Sequence, residues 1–124
     1  MAKRILILIL GFILIGIMFG CSSPEGPSGT SPNVQDPPAN EVYAYDNFFR
    51  PQSLTVSVGT RVTWTNKGAS AHTVTSGTRG NPDGRFNSGD MRSGATFSYT
   101  FTMAGQYTYH CIYHPGMDGT IVVQ

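Results

Sequence analysis

From Val42 onward, apolar and polar residues alternate with a period of two. Leu54, Val56 and Val58 are separated by Thr55 and Ser57, and Val62 and Trp64 alternate with Thr63 and Thr65. Phe97, Tyr99 and Phe101 alternate with Ser98, Thr100 and Thr102, and Tyr107 and Tyr109 lead in the same rhythm to Cys111. Successive side chains of a strand point to opposite faces, so each run offers one face to a core and one to water. With Val42 to Tyr45, His72 to Thr75 and Thr120 to Val123 added, the pattern predicts seven to eight strands and no substantial helix. An all-β sandwich follows.

Two turns and one loop punctuate the strands. Gly59-Thr60 and Ala104-Gly105 read as short hairpin connections. The stretch from Ser76 to Gly94 holds five Gly, one Pro, two Asn and two Asp, with Phe86 and Met91 as its only large apolar residues. It reads as a long surface loop. The alternation also predicts that Tyr107, Tyr109 and Cys111 point into the sandwich while His110 points away, which argues against His110 as a partner of Cys111 at any shared site.

The first forty residues do not fit this pattern. Lys3 and Arg4 precede an apolar run from Ile5 to Gly20. At helical rise that run spans roughly 24 Å, short for a membrane crossing, and it reads as a signal segment over residues 1–20. Gly20-Cys21 followed by Ser22 and Ser23 resembles a bacterial lipobox, in which the Cys is lipidated, although Met18 and Phe19 are not the usual residues before it. An uncleaved N-terminal anchor is the alternative. Residues 21–40 are rich in Pro, Gly and Ser and predict a flexible tether. The folded domain is then 41–124, held outside the cytoplasm on a membrane.

Charge removes some partners. The domain carries six Lys/Arg against five acids, a net charge of +1, which argues against nucleic acid as a partner and against steering through one charged patch. The two cysteines are Cys21, at the processing site, and Cys111, between two histidines; a disulfide between them is not expected.

The chemistry lies near the C-terminus. Cys111, His114 and Met117 follow the spacing Cys-x2-His-x2-Met, with His72 upstream. Taken singly, each has a plainer role: Cys111 an inert buried thiol, His72 a polar residue at a strand end, Met117 core filling, His114 a turn residue before Pro115. Together, one thiolate, two imidazoles and one thioether make the donor set of a blue-copper site, a His2Cys plane with a weak axial Met. Zinc has little use for a thioether.

Beyond the ligands, the stretches "FFRPQSLTVSVGTRVTWTN", "HTVTSG" and "GATFSYTFTMAGQYTYHCIYHPGMDGTIVV" resemble a cupredoxin, most closely the amicyanin and plastocyanin branch. The resemblance implies a Greek-key β-sandwich binding one type 1 copper ion through His72, Cys111, His114 and Met117. It also implies tuning by Asn66 and by the Thr73 backbone N–H reaching the Cys111 sulfur. The two-residue gap between His114 and Met117 is similar to the short loop of amicyanins. Two positions depart from the family: Ala71 stands where many relatives have Pro before the His, which should loosen that loop, and His110 replaces the aromatic that plastocyanins carry beside the Cys.

The resulting expectation is a tethered, monomeric one-electron carrier passing electrons between redox proteins through the edge of His114. Ala69, Ala71, Pro115 and Gly116 should rim that edge. Copper storage or delivery is the alternative, but Met91, Met103 and Met117 are too scattered to form a Met-rich cluster. Catalysis is not expected. Three histidines cannot build the further copper centres of oxidases and nitrite reductases, and a binuclear centre needs a second Cys in the final loop.

Overall fold

The computed structural model describes residues 34–124. The expected signal segment, Cys21 and the expected tether as far as residue 33 lie outside the described residues. Nine strands form among the described residues: β1 (Glu41–Tyr45), β2 (Phe48–Arg50), β3 (Ser53–Val56), β4 (Arg61–Asn66), β5 (Thr75–Thr78), β6 (Asn81–Asn87), β7 (Thr96–Thr100), β8 (Gly105–His110) and β9 (Asp118–Val123). They make a four-stranded sheet in the order β2-β1-β4-β7 and a five-stranded sheet in the order β3-β9-β8-β5-β6. The all-β sandwich is as predicted. β1–β4 and β3–β9 pair in parallel and the other pairs are antiparallel.

The inward halves of the alternating runs meet between the sheets. Val62, Trp64, Val74, Tyr109, Cys111 and Ile121 are all at most 1% exposed. Trp64 lies at the centre, with ring centroids 5.4 Å from Tyr109, 5.8 Å from Phe97 and 5.9 Å from Phe86. Burying such rings removes large apolar areas from water, and edge-to-face contacts add to that gain. Tyr109 lies across Gly119, its register partner on β9. A Cβ at residue 119 would run into the Tyr109 Cζ and Oη atoms, so only glycine leaves room for the ring.

Three expectations need correction. The links at Gly59-Thr60 and Ala104-Gly105 are not hairpins, because β3 and β4 lie in different sheets, as do β7 and β8. Each link crosses from one layer to the other, and a turn signal alone does not say whether the next strand pairs or crosses. The stretch from Ser76 to Gly94 is not a plain loop. Most of it is the β5–β6 hairpin, turning at Arg79-Gly80, with β5 paired to β8. β6 is an edge strand with only Phe86 buried, so it carries no alternating apolar signal. Finally, Val58 is 49% exposed beyond the end of β3.

Residues 35–40, whose composition resembles the tether, are bonded to the sandwich. Gln35 N–H donates to Tyr45 Oη (2.8 Å), Arg50 pairs with Asp36 (2.5 Å), and Thr63 N–H donates to Asn40 O (3.1 Å).

Candidate metal centre

Two loops at one end of the sandwich bring the predicted residues together. Cys111 directly follows β8, and the inward alternation of Tyr109 and Cys111 holds, both being buried. The chain then loops through His114 to Met117 before β9. Cys111 N–H donates to Met117 O (3.0 Å) and Met117 N–H to His114 O (3.1 Å), closing a tight turn.

His72 comes from the link between β4 and β5. Its backbone exchanges two hydrogen bonds with Met91, N–H to O at 3.1 Å and O from N–H at 2.8 Å. Buried Asn66 organises this link, donating from Nδ2 to Met91 O and Ser70 O (both 2.8 Å) and accepting from Gly68 N–H (2.8 Å). Asp46 Oδ1, from the β1–β2 turn, accepts from the N–H groups of Ala69 (2.8 Å) and Ser70 (3.0 Å). The loop that Ala71 was expected to loosen is therefore held by at least five bonds.

The donor atoms converge. His72 Nδ1 and His114 Nδ1 are 3.2 Å apart, and Cys111 Sγ is 3.8 Å from the first and 3.4 Å from the second. A point equidistant from all three lies about 2.0 Å from each, the length of a metal–imidazole bond and slightly short of a metal–thiolate bond. Met117 is 1% exposed in the same loop. The soft thiolate and two imidazoles suit copper, and the fit is good.

The surroundings prepare these donors. Thr73 N–H points at Cys111 Sγ (3.5 Å), as the resemblance implied, and Thr73 Oγ1 accepts from Ile112 N–H (3.0 Å). His72 is completely buried, and its pKa is held below the usual histidine value, first by burial and then by the neighbouring His114, against a smaller opposing pull from Asp46. It is therefore neutral near pH 7, with a lone pair to give. His110 is not part of this cluster. It points away from Cys111 as expected, yet it is 3% exposed rather than in water, packed under the β5–β6 hairpin with Nδ1 bonded to Gly77 O (2.9 Å).

Several contributors carry no signal in the sequence. Arg79, at the β5–β6 turn, donates from Nη2 to Cys111 O (2.7 Å) and from Nη1 to Ile112 O (3.1 Å). Tyr113 Oη bonds to Asp90, joining the Cys111–Met117 loop to the segment that pairs with His72. Asp46 is a third. No short-range motif marks them, because each acts across the fold.

A His2Cys cluster with His72 and Cys111 buried and His114 partly so, at one end of a two-sheet sandwich, defines a mononuclear copper protein. Comparison with known proteins agrees: the family of copper binding proteins of the plastocyanin/azurin type matches residues 39–124. Amicyanin from Paracoccus denitrificans is 41% identical over 73 residues, covering 57% of this chain and 54% of the relative. Amicyanin-alpha from Methylorubrum extorquens is 32% identical over 99 residues, covering 78% and 83%. Among solved structures, a purple cupredoxin from Nitrosopumilus maritimus superposes with TM-score 0.63 at 30% identity, covering 68% of this chain and 98% of that one. A reduced amicyanin variant gives TM-score 0.60 at 33% identity, covering 69% and 82%. The chain belongs to the plastocyanin/azurin family, as a cupredoxin of the amicyanin-like branch with one type 1 copper ion as cofactor.

Proposed function

We propose that the protein is a one-electron carrier outside the cytoplasm, with His72, Cys111, His114 and Met117 as the copper ligands. The observation that carries this reading is the closure of the site. His72 and Cys111 are 0% exposed and Met117 1%, while His114 is only partly buried. Bound copper supplies a Cu(I)/Cu(II) couple. The chain supplies the conditions for fast exchange. Its proposed ligands are held by backbone bonds in a largely buried pocket, so little need rearrange when the charge changes. Three of the four proposed ligands are shut off from solvent and only His114 reaches the surface, an arrangement that suits electron transfer.

His114 is the electron port. Ala69, Ala71, Pro115 and Gly116 are all exposed on the two ligand loops. Ile112 (47% exposed) and Tyr113 (48%) add apolar surface beside them. Such a surface suits weak, short-lived docking with redox proteins. The leader, Cys21 and the tether support attachment to a membrane by a lipidated Cys21, which would raise the local concentration of membrane-bound partners.

The test is a visible spectrum of the full-length protein after Cu(II) and then ascorbate. An intense thiolate-to-copper band that bleaches reversibly is expected, and it should be absent from Cys111→Ser. A Cys111→Ser protein that keeps the band sinks the assignment, and a colourless wild type that holds only Cu(I) points to copper delivery. Mass spectrometry of the mature N-terminus tests the anchor, which fails if residue 21 carries no lipid.

A further inference from the structure

His72 has one ring nitrogen at the metal site and the other stranded. Nδ1 faces Cys111 Sγ and His114 Nδ1, whereas Nε2 is buried with no hydrogen-bond partner among the described residues. A neutral imidazole has one N–H and one lone pair, so a His that gives Nδ1 to a metal must carry its proton on Nε2. A buried N–H without an acceptor is penalised. Ligating histidines ordinarily settle this by donating to a carboxylate or carbonyl behind the ring.

The Asp46 carboxylate occupies that position. Its Oδ1 lies 3.9 Å from His72 Nε2, just beyond hydrogen-bond reach. It comes from the β1–β2 turn, remote in sequence, and two features hold it in place. The Ala69 and Ser70 N–H groups, in the loop that leads into His72, both donate to Oδ1. Gly68 leaves the space, since a Cβ there would collide with that same oxygen and with the Asp46 backbone nitrogen. The arrangement is anchored on the loop side and lacks only a small side-chain adjustment on the histidine side.

We propose that Asp46 is the positioning residue for His72. In the copper-loaded protein its carboxylate accepts the Nε2–H, fixes the tautomer that leaves Nδ1 free, and places negative charge behind the ring. That charge favours Cu(II) over Cu(I). The inference rests on the copper reading above.

The experiment compares full-length wild type with Asp46→Asn, Asp46→Ala and Gly68→Ala, using Cu(II) retention against a chelator, the reduction potential, and NMR of the Cu(I) form. Asp46→Asn keeps an oxygen for the Ala69 and Ser70 N–H groups but loses the charge. It should weaken Cu(II) binding about tenfold, the lower end for such outer partners. With Cu(I) binding unchanged, the potential rises by about 59 mV. In the wild type, the His72 Nε2–H should be a slowly exchanging, hydrogen-bonded proton, lost in Asp46→Ala. Gly68→Ala should mimic that loss by displacing the carboxylate. Copper retention, potential and Nε2–H signal all unchanged in Asp46→Asn would overturn the proposal while leaving the copper site intact. Should Asp46→Ala fail to fold, the Asp46→Asn measurements decide by themselves. A wild type with no blue band removes both readings together.

Discussion

Arg79 offers a way to separate charge from architecture at the metal centre. Its guanidinium, a permanent cation, bonds to the carbonyl oxygens of Cys111 and Ile112. From the 2.7 Å bond and the span of one residue, the charge lies roughly 7 Å from the Cys111 sulfur. Arg79 is exposed, so an effective dielectric of about 40–80 applies, and a unit charge at that distance is worth about 0.6–1.2 kcal/mol. A nearby cation disfavours Cu(II) more than Cu(I). Arg79→Gln should therefore lower the reduction potential by about 25–50 mV, taking 59 mV per tenfold in a one-electron couple. Arg79→Glu should lower it by about twice as much, and the shifts should shrink as salt screens the charge. Arg79→Lys keeps the charge but not the two-pronged geometry, and should stay near wild type. Cyclic voltammetry at two ionic strengths reads all three. Equal shifts in Lys and Gln would refute the electrostatic reasoning and assign the effect to loop geometry. No shift even in Glu would show that solvent screens this position completely.

Further predictions concern the scaffold. Gly119→Ala should destabilise the metal-free protein by about 1–3 kcal/mol in denaturant titration, because the new methyl overpacks Tyr109; an unchanged midpoint would mean that the ring moves freely. Asn66→Ala strands Ser70 O, Met91 O and Gly68 N–H at the His72 loop; at about 1 kcal/mol each it should cost about 2–3 kcal/mol and speed copper loss. A variant with wild-type stability would show that water replaces the amide. The depressed pKa of His72 sets a pH dependence. The unfolded chain binds its proton near pH 6.5 and the native state only lower, so stability falls as pH drops below 6.5 and is unaffected above it. Denaturation of metal-free protein between pH 5 and 7.5 should show a slope of up to about 1.4 kcal/mol per pH unit, absent in His72→Asn. A flat profile would contradict the burial of a neutral ring.

What the sequence could convey was set by how local each signal is. Period-two alternation marks β4, β7 and β8 because burial on one face acts residue by residue. It missed β2, which is three residues long, and β6, whose exposed edge position needs no apolar face. The candidate donors were legible because three of them share one short loop and their donor chemistry is unusual. Thr73 and Asn66 were legible through the family resemblance. Asp46, Arg79 and the Asp90–Tyr113 pair were not, since an ordinary polar residue acquires a role only from what lies opposite it.

By itself, then, the sequence determined the sandwich class, the inward direction of Cys111 and the candidate donors, all consequences of side-chain periodicity and chemistry. The tertiary structure alone decided that the turns at Gly59 and Ala104 cross between layers, and that the β5–β6 hairpin covers His110 and delivers Arg79 to Cys111 O. It alone places Asp46 behind His72. Those are contacts between residues up to 33 apart in the chain, fixed by which strands pair, and pairing depends on the whole set of strands competing at once.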